Sequence, residues 1–169
     1  FDLYNGMADN IKEMTERGLL DLGLVMEPIG TAKFEYVRLP QKETWGILIR
    51  QDHELAGKET VTAEDIKQYP LIMPGREKAK DQILHWMQCE EQHLNIPAYY
   101  NILSNAALLV QAGMGCAVCL DGALSIHADP ELCFRQITPA HITRSVILWK
   151  KNHLFSQAAS LFVQTIQEQ

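Results

Sequence analysis

Two clusters in this sequence have spacings at which cysteine and histidine do chemistry. Cys116 and Cys119 in "CAVC" stand three apart, the spacing of a redox dithiol or of half a zinc site. His85, Cys89 and His93 in "HWMQCEEQH" stand four apart, so a continuous helix would align them on one stripe. Neither cluster completes a site. "CAVC" lies in an apolar run that reads as a strand, where residues three apart point to opposite faces, and no second Cys pair follows. Three ligands on one straight helix cannot wrap a tetrahedral ion, so the histidine stripe reads as a polar helix face. No metal and no cofactor is expected.

Other chemistries find even less. There is no Gly-x-Ser-x-Gly elbow, no phosphate-binding loop and no dinucleotide fingerprint. The ionisable groups available to an enzyme are Glu27 and Asp121, both ordinary loop residues, and no enzyme is expected. His53 belongs to the "DHELA" turn without a local partner, and His127 and His141 fall in loops. Asp21, inside the apolar "GLLDLGLV", is costly to bury unpaired; its carboxylate is expected to accept backbone N–H bonds in the turn after Gly18.

Bulk properties narrow the class. The 169 residues carry a formal net charge of −6 with no basic run, which argues against this chain itself gripping a nucleic-acid backbone. Apolar residues make up 47% of the chain, enough for a real core, yet no run is long enough to span a bilayer. The four cysteines lack a disulfide framework, which points to a reducing cytoplasm. A start on Phe1 reads as a fragment.

The elements that would position any site alternate between strand and helix periods. "FDLY" reads as a strand, Ala8 to Glu16 as a helix ended by Gly18, and "LLDLGLV" as a buried strand. "FEYVRL" and "TWGILIR" are two more strands. Thr62 and Asp65 form a capping box that opens a short helix, followed by the strand "LIMP". Lys78 to His93 reads as one helix, and Ser104 or Asn105 as the cap of "NAALLVQA". "CAVCL", "LCFRQI" and "SVILW" are strands. A last helix carries Phe155, Ala158, Ala159, Phe162 and Ile166 on one stripe. The class is α/β with mostly parallel sheets, and the pattern restarts near Tyr69 to Leu71.

Four stretches in order carry a resemblance: "MTERGLLDLGLV", "ILIRQDHELAGKETVTAEDIKQYPLIMP", "NAALLVQAGMGCAVCL" and "SVILWKKNHLFSQAASLFVQTI". Together they resemble the effector-binding domain of LysR-type transcriptional regulators over nearly the whole chain. The resemblance implies two Rossmann-like lobes joined by a two-segment hinge, like type 2 periplasmic binding proteins. Lobe I would hold residues 1–70 plus 151–169, and lobe II residues 71–150. It also implies a DNA-binding winged helix-turn-helix, a linker helix and a first strand of lobe I, all absent here; "FDLY" corresponds to the second strand.

In open α/β sheets, ligands bind beyond the carboxyl ends of the strands. Applied here, that rule selects Asn5, Met26, Glu27, Pro74, Gly75, Arg76, Ser104, Asn105 and Asp121, which in a two-lobed arrangement face one cleft. Arg76 could pair with an anionic effector, or equally with Glu77 or Asp81. The expected function is a ligand-sensing domain whose small-molecule effector changes DNA binding by the absent N-terminal domain. The alternative is the solute-binding protein of a transporter. The family's side-by-side dimerisation implies a homodimer or homotetramer, with Met7, Ile11, Met14 and Trp86 at the interface and no membrane contact.

Overall fold

Helix α1, Ala8–Glu16, occupies the span its periodicity predicts, with Ile11 and Thr15 turned inward. The buried Thr15 hydroxyl is satisfied within the helix, donating to the Ile11 carbonyl at 2.7 Å. Gly18, at φ +72°, reverses the chain in the left-handed turn expected of it. The computed structural model describes every residue except 31, 124–128, 168 and 169. His127 therefore lies outside the described residues.

The strands are β1 (Gly23–Met26), β2 (Phe34–Arg50), β3 (Thr60–Val61), β4 (Leu71–Pro74), β5 (Ala98–Tyr100), β6 (Cys116–Leu120), β7 (Leu132–Ile137) and β8 (Ile142–Lys150). Between them run α2 (Ala63–Lys67), α3 (Glu77–Met87) and α4 (Leu103–Gln111), and α5 (Gln157–Gln167) closes the chain. The sheet is mixed. β4 pairs with β5 and β6 in parallel and β3 with β7 in parallel, whereas β2 runs antiparallel to both β6 and β7, and β1 antiparallel to β8.

The chain packs as two units, Phe1–Lys42 with Thr143–Gln169, and Glu43–Ile142. The sequence places this division near residue 70 and again at 150, and the structure moves both boundaries. Residues 43–70 join the second unit because the second half of β2 pairs with β6 and β7, while β3 pairs with β7. Residues 143–150 join the first unit because β8 supplies the partners of β1, Val25 facing Val146 among them. The two strands expected at "FEYVRL" and "TWGILIR" are one continuous β2, which runs through Pro40.

Each unit has its own core. In the first, Ile11, Val25, Phe34, Val146 and Leu148 pack together, and Ile147, Trp149 and Val163 form a second cluster under Phe155 and Ile166. Val163, absent from the expected stripe, is the buried residue of α5, and Phe162 is exposed, so the helix is rotated from its sequence reading. In the second unit, Leu48, Ile72, Ala106, Ala107, Val110, Ala117 and Cys119 form the core on which α4 rests.

Three further expectations change. "FDLY" forms no strand, since a strand exists only through pairing and no described strand pairs with these residues. β1 starts at Gly23, so Asp21 precedes it in an exposed bend and faces the His153 ring at 3.4 Å, not the backbone of its own turn. Helix α3 ends at Met87, where Gln88 adopts φ 50° and Cys89 N–H reaches back to the Leu84 carbonyl.

The capping box stands as read. The Thr62 hydroxyl accepts from Asp65 N–H at 3.2 Å, and the Asp65 carboxylate accepts from Thr62 N–H at 2.9 Å. The Lys58 ammonium at 2.6 Å, with that Thr62 amide, holds the Asp65 carboxyl down to about 2. Thr62→Ala is expected to cost about 1 kcal/mol in urea unfolding, the usual value of an N-cap; a change under about 0.3 kcal/mol would show the bond adds nothing.

Candidate functional site

Because β4, β5 and β6 are parallel, their carboxyl ends share one edge of the second unit. α3 begins there directly after β4, and α4 shortly after β5. Six of the nine candidate ligand residues gather at this edge: Pro74, Gly75, Arg76, Ser104, Asn105 and Asp121. Gly75 N–H donates to the Tyr100 carbonyl at 2.8 Å, which ties the end of β4 to the end of β5.

The helix starts differ from the sequence reading. α4 begins at Leu103 with Ile102 in the N-cap position, so Ser104 and Asn105 lie in the first turn and cap nothing. Arg76 occupies the N-cap of α3, again without a side-chain cap. A helix leaves its first backbone N–H groups without intrahelical partners, and at both starts these donors remain uncapped by side chains on the same edge. Such ends attract negative charge.

Arg76 is half-buried, and its Nε and Nη2 are fully covered with no hydrogen-bond partner among the described residues. The pairing with Glu77 or Asp81 does not occupy these two nitrogens. Trp45 Nε1 is a second covered donor without a partner, and Trp45 sits opposite Leu120, the last residue of β6, at the same edge. Nothing in the sequence marks Trp45, since an orphaned N–H is a property of the packing around it. Asp121 is already engaged: its Oδ1 accepts from Thr44 N–H at 3.1 Å.

The other three candidates belong to the first unit. Asn5 lies in the exposed leading segment, and Met26 ends β1 opposite Ser145. Glu27 follows it and is paired, its Oε1 accepting from Arg38 Nε at 2.7 Å, which raises the Arg38 pKa. Of the interface candidates, Met7 is exposed, while Met14 and Trp86 are half-buried. The Trp86 indole N–H donates to the Pro139 carbonyl at 2.8 Å. Ile11 is 6% exposed within the first unit's core, so burial removes it from the interface set.

The cysteine and histidine clusters resolve into packing. His85 is on α3, Cys89 follows the helix and His93 is in a separate 3-10 turn, so no single stripe joins them. Cys116 and Cys119 are buried in β6, and burial pushes their thiols up to about 11 and about 12, which keeps them protonated near neutral pH. His53 does have partners: it lies 3.6 Å from Cys116 Sγ through Nε2 and packs edge-on against Tyr69. Its Nδ1 accepts from Leu55 N–H, so in the neutral ring Nε2 carries the proton and donates toward the sulfur.

Comparison with known proteins identifies the family and the fold. All of residues 1–169 match the family described as the LysR substrate binding domain. The chain is 26% identical over 168 residues to the uncharacterized HTH-type transcriptional regulator YvbU of Bacillus subtilis (strain 168), covering 98% of this chain and 56% of YvbU. HinK, a LysR family transcriptional regulator from Pseudomonas aeruginosa, superposes with a TM-score of 0.81 at 17% identity, over 98% of this chain and 59% of HinK. The effector binding domain of QuiR, in complex with shikimate, gives a TM-score of 0.81 at 16% identity, over 96% of this chain and 78% of that one. The chain thus spans under two thirds of YvbU and of HinK. With a family match from first residue to last and the α/β fold shared with these regulatory domains, the chain belongs to the LysR substrate-binding domain family.

Proposed function

We propose that this chain is the sensory part of a cytoplasmic DNA-binding regulator, in which a small-molecule effector sets the affinity of a separate segment for DNA. The observation that carries the reading is the edge of the second unit. There the ends of three parallel strands meet two helix starts without side-chain caps, and the chain offers free backbone donors to a ligand. Pro74, Gly75, Arg76, Ser104 and Asn105 form its core, and Asp121 and Thr44 frame it. Relatives named as transcriptional regulators, and a shikimate-bound effector domain of the same fold, support this reading over a transporter's solute-binding protein. No helix among the described residues is long and apolar enough to cross a membrane.

A ligand shifts a regulator only through unequal affinity for its two states. The test is therefore a thermal-shift screen of small metabolites on the intact protein, followed by operator affinity with and without each hit. The expected result is a hit that changes operator affinity, with DNA changing the hit's affinity by the same factor. Hits that bind without moving DNA affinity would overturn the regulatory role.

The same reading makes the protein a homodimer or homotetramer through α1 and α3. Met14→Glu and Trp86→Glu are each expected to give monomer by light scattering, with the circular dichroism spectrum retained. Ile11→Glu is expected to unfold the first unit instead, since it buries a charge in a closed core. Dimer retained in both surface variants would refute this interface.

A further inference from the structure

The chain passes between its two units twice, after Lys42 and after Ile142. Just inside the second unit at the first passage, β2 runs beside β6, and their last ladder pair sets Trp45 opposite Leu120. N–H groups alternate in direction along a strand. Trp45 N–H points away from β6 and donates to the His141 carbonyl at 2.9 Å, so the segments leading to the two passages are bonded to each other. Thr44 N–H points toward β6, one register position past the last pair, where its partner would be residue 121. There β6 has ended, and the chain enters the 3-10 turn Asp121–Ala123. The acceptor that Thr44 N–H meets is the Asp121 side chain, through Oδ1 at 3.1 Å. The Glu43 side chain lies along the same turn, its carboxyl carbon 3.8 Å from a Cβ built on Gly122.

We propose that the Asp121 carboxylate extends β6 by one rung and pins β2 where it leaves the second unit, which makes Asp121 a positioning residue for any signal carried along that strand. The signalling clause rests on the regulator reading above, whereas the pin does not. A carboxylate suits the task. Its bond to a backbone N–H is charge-assisted, and its short side chain reaches the register position that the main chain of β6 has left. Held by Asp121 on one edge and by His141 on the other, Thr44 and Trp45 stay within the sheet of the second unit. The connection to the first unit therefore begins at the exposed Lys42. Removing the carboxylate takes away the acceptor of Thr44 N–H and lengthens the loose part of the connection. Coupling needs an element with discrete arrangements, and a looser connection blurs them.

The pin is tested by amide hydrogen exchange, followed by NMR on the 169-residue chain. In Asp121→Ala the Thr44 amide should exchange at least about tenfold faster, the scale of a bond to a charged group. The Leu48 amide, deeper in the β2–β6 ladder, is the control and should not change. Asp121→Asn keeps an oxygen at the accepting position and should return Thr44 to within about threefold of the parent. Asp121→Ser is too short to span the same gap; it should match the alanine variant, and it replaces that variant if alanine does not fold. Thr44 exchange at the parent rate in the alanine and serine variants, or an asparagine variant as fast as alanine, would overturn the pin. The positioning role is read in the intact protein as operator affinity without effector. Asp121→Ala should shift that affinity at least about threefold, and Asp121→Asn should undo most of the shift. Equal affinity in the parent and the alanine variant would reduce Asp121 to a residue of the fold and overturn its positioning role. A parent protein that binds no operator would count against the regulator reading itself, and the exchange result would still decide the pin.

Discussion

Gly115→Ala is expected to destabilise the protein by about 3 kcal/mol or more, with the urea midpoint falling accordingly and far-UV circular dichroism reporting the transition. Gly115 precedes β6 at φ +155°, and a Cβ built there would lie 2.3 Å from the Pro70 carbonyl oxygen and 2.9 Å from its carbon. The obstruction is backbone, which has no rotamer to escape into. That same carbonyl accepts the Cys116 N–H at 2.9 Å, the bond that starts the parallel pairing of β6 with β4. Adding one methyl therefore prises apart the two strands whose far ends carry Arg76 and Asp121. Gly113 provides the control. It sits at φ +76° with nothing within 4 Å of a built Cβ, so Gly113→Ala should lose only the roughly 1–2 kcal/mol of left-handed strain. Equal losses at the two sites would show that the steric account of Gly115 is wrong.

Ile72→Ala is the second large effect, expected near 4 kcal/mol, in the upper part of the range for such truncations. Ile72 is 0% exposed at the middle of β4, between Ala98 on β5 and Ala117 on β6, under Ala106 and Ala107 of α4. These neighbours are too short to fill the space that an isoleucine leaves, so the cavity persists. Against a net stability of roughly 5–15 kcal/mol for a typical protein, the loss is a large share. A measured cost below about 2 kcal/mol would mean that α4 settles onto the sheet and closes the void.

How far the sequence reports this structure depends on how local each cause is. α1, the Gly18 turn and the Thr62–Asp65 capping box are set by residues within a few positions of one another, and each forms where its pattern places it. The strand "LIMP" is legible because four buried apolar residues in a row suit a strand covered on both faces. The long β2 is not, because Pro40 and the polar residues after it resemble a loop until a partner strand is present. Nor is the end of α3, where Gln88 takes a conformation that glycine usually signals. The first turn of α4 was obscured by Ser104 and Asn105, good caps by type that the chain places inside the helix. At the site, the candidate edge follows from strand order alone, whereas the unpaired nitrogens of Arg76 and Trp45 emerge only once everything around them is packed.

The way the chain crosses between its units bears on how it is made. The first unit is discontinuous: it waits for residues beyond Thr143, with all of Glu43–Ile142 inserted between its parts. Closing a flexible loop of about a hundred residues costs roughly 4 kcal/mol in entropy, before any contact of the first unit can offset it. The second unit removes that cost when it folds, since its Trp45 N–H to His141 carbonyl bond of 2.9 Å brings entry and exit strands side by side. Folding is thus expected to be ordered, inserted unit first, in the cell as on the ribosome. In pulse-labelled hydrogen exchange the amides of β4 and β6 should be protected before those of β1, and the reverse order would refute it. Damage to the second unit, as by Gly115→Ala, would then slow completion of the first, although it removes none of that unit's own contacts.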